Sequence, residues 1–336
     1  MRIYSEKAIL KAESYSDIFS SDKDEAKRQF RHYCKSYHPD VDDSCRAQEI
    51  FQKLSELYKK SSVKKVCADR SNVIRFKSKT TGRGFEMANP VTADTGVCTI
   101  YHTQTKVVFS YGKDFKKFYQ KYLDNVKSIQ YEDDKMKKQF SILFPSVLRN
   151  FEDENGNFDI LIPKTGEVLN LGLIAEAYKT KHMAFPERHA AWIINRLYNL
   201  AVYMDFYHIV FNGFSLYNLW VSPEFHTILL LGGWEYAGKE GSAMAGCPCD
   251  VYKILPVKAR DKHVCVRKTD LESIRQAGRE LFCGSGCKNI LQFLDTASGD
   301  DGELLSVSEW KQFENAVYKD FGERKFVEWD NVPYVN

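Results

Sequence analysis

Between Lys23 and Tyr37 the apolar residues Ala26, Phe30, Tyr33, Cys34 and Tyr37 recur at helical spacing, and no Gly or Pro interrupts them. That periodicity predicts an amphipathic helix. Its opposite face carries Lys27, Arg28, Arg31, His32 and Lys35. Pro39 ends the stripe, because a proline disfavours helical geometry at the residue before it. A second stripe, Ile50, Phe51, Leu54, Leu57 and Tyr58, predicts a helix over 46–60. Two such helices joined by a short polar turn bury their apolar faces as an antiparallel hairpin. The hairpin is expected to be self-contained, with His38, Pro39 and Asp40 at its exposed tip beside the basic face.

The texture changes after 61–70, a small and charged stretch expected to be a linker. Short β-rich runs follow at 73–76, 97–102, 106–111 and 158–162, and Val168 and Leu169 are expected to close their sheet. The charged stretch 114–148 reads as helix, broken near Gln130 and Pro145. From Leu171 onward the pattern is mostly helical. Its longest stripe, 186–208, has Pro186 in the first turn, and further helices are expected over 268–281 and 308–318. The predicted architecture is therefore multidomain: an all-α hairpin over 1–62, a linker over 63–71, and a bilobal α+β body. The body has a β-rich small lobe over 72–170 and a helical large lobe over 171–336.

Composition adjusts this picture in a few places. A hydrophobic share of 43% and an aromatic share of 14% are ample for a large core. The net charge of +3 sits wholly in residues 1–65, so the body has no bulk bias toward nucleic acid. The lysine-rich run 114–138, with Phe115, Phe118, Tyr119 and Tyr131, is expected to be a solvated helix face. The N-terminus is charged and lacks an apolar core, and no apolar run approaches the roughly 20 residues that span a bilayer. Nine scattered cysteines then read as reduced thiols in a cytoplasmic setting. Cys247, Cys249, Cys283 and Cys287, with His263 and Cys265, offer a zinc alternative. Their C-x-C and C-x-x-x-C spacings depart from the usual C-x-x-C pairs, so neither metal nor other cofactor is expected. Gly82-Arg83-Gly84 is either a phosphate-cradling loop or a simple turn.

The basic helix, the Tyr37-His38-Pro39-Asp40-Val41 turn and the following helix with Phe51 and Tyr58 resemble the J-domain of DnaJ-type co-chaperones. The resemblance covers 13–60. It implies that Lys27, Arg28, Arg31, Lys35, His38, Pro39 and Asp40 engage a DnaK-type, seventy-kilodalton heat-shock chaperone and stimulate its ATPase.

Residues 208–237 run from a long helix through a loop to two apolar strands and Gly232-Gly233-Trp234. This resembles the catalytic segment of protein kinases, with the wider likeness covering roughly 72–330. Carried over by position, Gly213 stands for the catalytic Asp, and Asn218 keeps the metal-binding Asn. Gly232 stands for the metal-binding Asp, and Ser110 for the nucleotide-clamping Lys, whose Glu partner falls near Gln139. Asp270 stands for the buried Asp that anchors the loop. Phosphoryl transfer needs a base, a metal-binding carboxylate and a cation on the phosphates, and all three positions are neutral here. The resemblance thus implies a pseudokinase-like scaffold fused to a J-domain: a co-chaperone adaptor, not an enzyme, serving a protein client. Two other readings stand beside it. One is a divergent active kinase that uses displaced groups such as Asp205 or Glu235. The other is a structural component of a viral assembly.

Overall fold

The computed structural model describes residues 3–37, 42, 44–59, 72–164, 167–299, 305–323, 325–329 and 332–333. The tip residues His38, Pro39 and Asp40 and the expected linker 63–71 lie outside them.

The N-terminal unit consists of α1 (Glu6–Lys11), α2 (Lys23–Tyr37) and α3 (Cys45–Lys59). Ser5 caps α1 by accepting the Ala8 N–H at 3.4 Å. The two predicted stripes face each other: Ala26, Phe30 and Tyr33 pack with Ile50, Leu54, Leu57 and Tyr58, and Ile9, Ile18 and Phe19 close one side. This core is not self-contained, which corrects the expectation from the sequence. Phe225, from far along the chain, is buried within it, 5.1 Å from Phe30 and 6.1 Å from Tyr58 between ring centroids.

The body begins with an antiparallel hairpin of β1 (Val73–Lys77) and β2 (Gly84–Ala88); Gly82 and Arg83 belong to its connection and Gly84 opens the second strand opposite Lys77. Next come β3 (Val91–Asp94), β4 (Cys98–His102), β5 (Lys106–Tyr111), α4 (Lys116–Lys127), α5 (Asp134–Phe140), β6 (Arg149–Glu152) and β7 (Phe158–Pro163). The strands form an antiparallel sheet in the order β3-β4-β5-β7-β6. Side chains alternate across a strand, so Val107, Phe109, Tyr111, Ile160 and Ile162 share the inner face. Val108 and Leu161 point outward, where Phe76 and Met87 of the β1–β2 hairpin cover them.

The rest of the body is mainly helical. It comprises β8 (Leu169–Asn170), α6 (Leu171–Thr180), α7 (Glu187–Phe206), β9 (Ile209–Val210), β10 (Leu219–Ser222), β11 (Thr227–Leu230) and β12 (Gly238–Lys239). It ends with α8 (Cys249–Tyr252), α9 (Val257–Lys262), α10 (Arg267–Leu281), α11 (Lys288–Asp295) and α12 (Leu305–Phe321). β8 pairs with β10 instead of closing the five-stranded sheet. Pro186 precedes α7 as its cap residue. A buried ion pair, Arg275 to Glu309 at 2.6 Å, ties α10 to α12, and the same guanidinium donates to the Thr296 carbonyl at 3.0 Å. One continuous core runs from the inner face of the sheet through α7 to α10, α11 and α12. Among the described residues no helix is long and apolar enough to cross a membrane.

Candidate functional site

The inner face of the sheet meets the helical part at the loop 211–218 and the turn 232–234. The loop is irregular and buried, so its N–H groups need partners outside regular structure. Asp270, in the first turn of α10, supplies two. Its carboxylate accepts the Phe211 N–H at 2.7 Å and the Asn212 N–H at 2.7 Å. Burial pushes the Asp270 carboxyl up to about 7 against the pull of these two donors. Asn212 adopts a left-handed φ of 53°, a conformation that asparagine tolerates better than most residues. Its side-chain amide donates to the Tyr236 carbonyl at 3.2 Å and to the Cys265 sulfur at 3.3 Å.

Gly213 sits against the turn. A Cβ there would meet the Gly233 carbonyl oxygen at 2.9 Å and the Phe211 ring at 3.0 Å. At Gly232 a Cβ would meet Asn218 Oδ1 at 2.9 Å and the Phe109 ring at 3.1 Å. Gly233 has a φ of 85°, and Asn218 Nδ2 and the Phe211 ring lie within about 3.0 Å of where its Cβ would be. Asn218 spends its amide inside the protein, donating to the Gly213 carbonyl at 3.0 Å. Phe211 packs on Phe214 at 4.9 Å and on Trp234 at 5.3 Å. The Trp234 indole donates to the Leu230 carbonyl at 2.8 Å. A side chain at 213 or 232 would therefore begin against backbone, the Asn218 amide or an aromatic ring, at contacts of 2.9 to 3.1 Å.

Ser110 does not face this turn. It lies next to Phe109 on β5, and alternation sends the two to opposite faces. Phe109, not Ser110, is the β5 side chain beside Gly232. Gln139, near which the Glu partner was expected to fall, lies on α5. The helix that grips the turn is α4: Tyr122 donates its hydroxyl to the Leu231 carbonyl, and Asn125 donates to the carbonyls of Trp234 at 2.7 Å and Ala237 at 2.9 Å. Phe109 and Tyr122 rings meet at 5.8 Å.

The displaced acids are engaged or enclosed. Asp205 pairs with Arg267 at 2.7 Å, and Arg267 also reaches Glu240 at 2.8 Å. Glu235 is buried, one of its carboxyl oxygens has no hydrogen-bond partner, and burial pushes its pKa up to about 7. Cys249 and Cys283 are exposed, Cys247 is half-buried and Cys287 is buried. Among the described residues no group of three or more metal-ligating side chains comes together. Burial pushes the Cys247 thiol up to about 11 and the Cys287 thiol up to about 12.

On the N-terminal unit Arg28 is exposed and Arg31 is half-buried, its guanidinium 3.0 Å from Glu328. Lys27 and Lys35 belong to α2, but their side chains lie outside the described set. The residues that sequence reasoning missed here are Phe109, Tyr122, Asn125, Asn212 and Phe225. The aromatic stripe Phe118, Tyr119, Tyr122 along 116–127 was a usable signal for α4 as the gripping helix. Phe225 stands alone between polar neighbours and carried none.

No protein-family model matches the chain, and no curated protein sequence matches it. Solved structures do align with most of it. Vaccinia related kinase 3 is 17% identical over 77% of this chain and 79% of its own, with a TM-score of 0.47. ROP2 from Toxoplasma gondii, described as a virulence factor with a protein-kinase fold and no enzymatic activity, is 13% identical. That alignment covers 74% of this chain and 86% of the other, at a TM-score of 0.49. The BubR1 kinase domain is 8% identical over 76% of this chain and 85% of its own, with a TM-score of 0.48.

Proposed function

We propose that residues 72–336 are a protein-kinase-like body that transfers no phosphate and serves as a protein-binding scaffold for the N-terminal helical hairpin. The observation that carries this reading is the packing at Gly213 and Gly232. Phosphoryl transfer depends on positioned charge, and here the Gly233 carbonyl, Asn218 and Phe109 fill the places from which that charge would act. The anchoring of 211–212 by Asp270 supports the kinase-like frame, because it keeps the loop in shape without any chemistry passing through it. Incubation of the full chain with labelled ATP and magnesium tests the proposal. No label above that of a heat-denatured sample is expected. Incorporation that Glu235→Gln removes would instead establish the divergent-kinase reading, which the unpartnered Glu235 oxygen favours.

The hairpin's role in this proposal is chaperone recruitment. Its support is the ordered pair α2–α3 with Arg28 exposed on the basic helix, together with the sequence of the turn. A basic face speeds encounter with an acidic partner surface. The full chain is expected to raise the ATPase of a DnaK-type chaperone, and Asp40→Asn is expected to abolish that rise. An unchanged ATPase with the wild-type chain would remove this role and leave the scaffold reading intact.

A further inference from the structure

The C-terminal tail returns to the N-terminal unit. Trp329 is buried in the body, stacked on His189 at 4.7 Å and donating to the Tyr178 hydroxyl at 3.2 Å. From that anchor the preceding residues reach over to α2. Phe326 packs against the hairpin core and stacks on His226 at 4.3 Å. Glu328 Oε2 lies 3.0 Å from Arg31 Nη1, with the two side chains 29% and 22% exposed. The contact thus combines an apolar seat with a guanidinium beside it, and Arg28 stands exposed three residues earlier on the same helix.

We infer that the Arg31 side of α2 is a docking surface for a peptide segment carrying an aromatic ring two residues ahead of a carboxylate, and that Phe326 and Glu328 occupy it in cis until such a segment displaces them. A guanidinium presents a planar fork of donors that suits a carboxylate. The apolar seat fixes the distance at which the ring must stand from that carboxylate. Tethering gives the tail the advantage of a high effective concentration. An external segment therefore binds poorly until the cis contact is loosened. The inference concerns neither phosphate transfer nor chaperone ATPase, so it stands or falls apart from the proposed function.

Fluorescence anisotropy of a labelled peptide of residues 321–328, titrated with the full chain, tests it. The chain carrying Phe326→Ala and Glu328→Lys is expected to bind the peptide about tenfold more tightly than wild type, the gain set by removal of the tethered competitor. Adding Arg31→Glu is expected to abolish that binding. Glu328→Gln, which preserves side-chain volume, is expected to shift affinity in the same direction by a smaller factor. Equal binding by wild type and both Glu328 variants would overturn the inference. So would binding that survives Arg31→Glu.

Discussion

Gly213→Asp would, on the proposed kinase-like frame, restore a carboxylate at the position assigned to the catalytic base. Its Cβ would stand 2.9 Å from the Gly233 carbonyl oxygen and 3.0 Å from the Phe211 ring. The first neighbour is backbone held by the turn, and the second is a fully buried ring wedged against Trp234. Neither yields cheaply, and overpacking of this kind costs ~1–3 kcal/mol. The carboxylate would then need partners, but the nearest amide, on Asn218, already donates to the Gly213 carbonyl. An unpaired buried polar group adds a further ~1–3 kcal/mol. The sum, on the order of 2–6 kcal/mol, is a large share of an ordinary domain stability of about 5–15 kcal/mol. Guanidinium denaturation followed by tryptophan fluorescence would read the loss as a lower midpoint. Gly112→Asp is the control, since the nearest contact of a Cβ there is a side-chain atom at 3.8 Å. A Gly213→Asp chain with the wild-type midpoint, or one that gains phosphate transfer, would refute the account of a filled site.

Three further outcomes are expected. Asp270→Ala strands the Phe211 and Asn212 N–H donors in the interior, at a cost of ~2–4 kcal/mol; a urea midpoint within error of wild type at pH 7 would contradict the anchoring role. Asp159 is buried beside Ser110, its partner across the β5–β7 ladder, and burial pushes it up to about 7. A carboxyl raised in the folded state contributes stability that is full below its unfolded value near 4 and is lost as pH rises through 7. Asp159→Asn should therefore gain on wild type between pH 5 and pH 8, by on the order of 2–4 kcal/mol, and a constant difference across that range would count against it. Phe225→Ala removes a ring shared by the hairpin core and should cost ~3–5 kcal/mol, seen as faster hydrogen exchange in α2 and α3 than in α7. Unchanged exchange there would mean that the hairpin closes its core alone.

Period told more than identity did in this chain. The alternation over 106–111 and 158–162 and the stripes at 23–37 and 46–60 placed strands and helices within a few residues, because each face of those elements meets a different environment. Asp270 was legible through the resemblance alone, which put a loop-anchoring Asp at this position, since an acid in the first turn of a polar helix serves the helix dipole just as well. Position in a strand did not show which β5 side chain would stand beside Gly232: Phe109 does, and Ser110, one residue on, faces the other way. Period failed at β6, whose four residues carry no clean alternation and owe their strand to pairing with β7. It failed at Phe225 because a lone aromatic in a tight turn shows no period at all, and only the fold reveals that its partners are some 170 to 195 residues earlier.

The aromatic contacts between sheet and helices carry a mechanical consequence. In a two-part molecule with an open cleft, the parts rotate about the joint, and that freedom accompanies ligand entry and release. Here Phe109, Tyr122, Phe211 and Trp234 form a continuous apolar bridge across the joint, and Asn125 fastens α4 to two carbonyls on the far side. Rotation would require separating those rings and breaking both Asn125 hydrogen bonds at once. A joint packed in this way resists opening, and the inner face of the sheet and the helical part share one core across it.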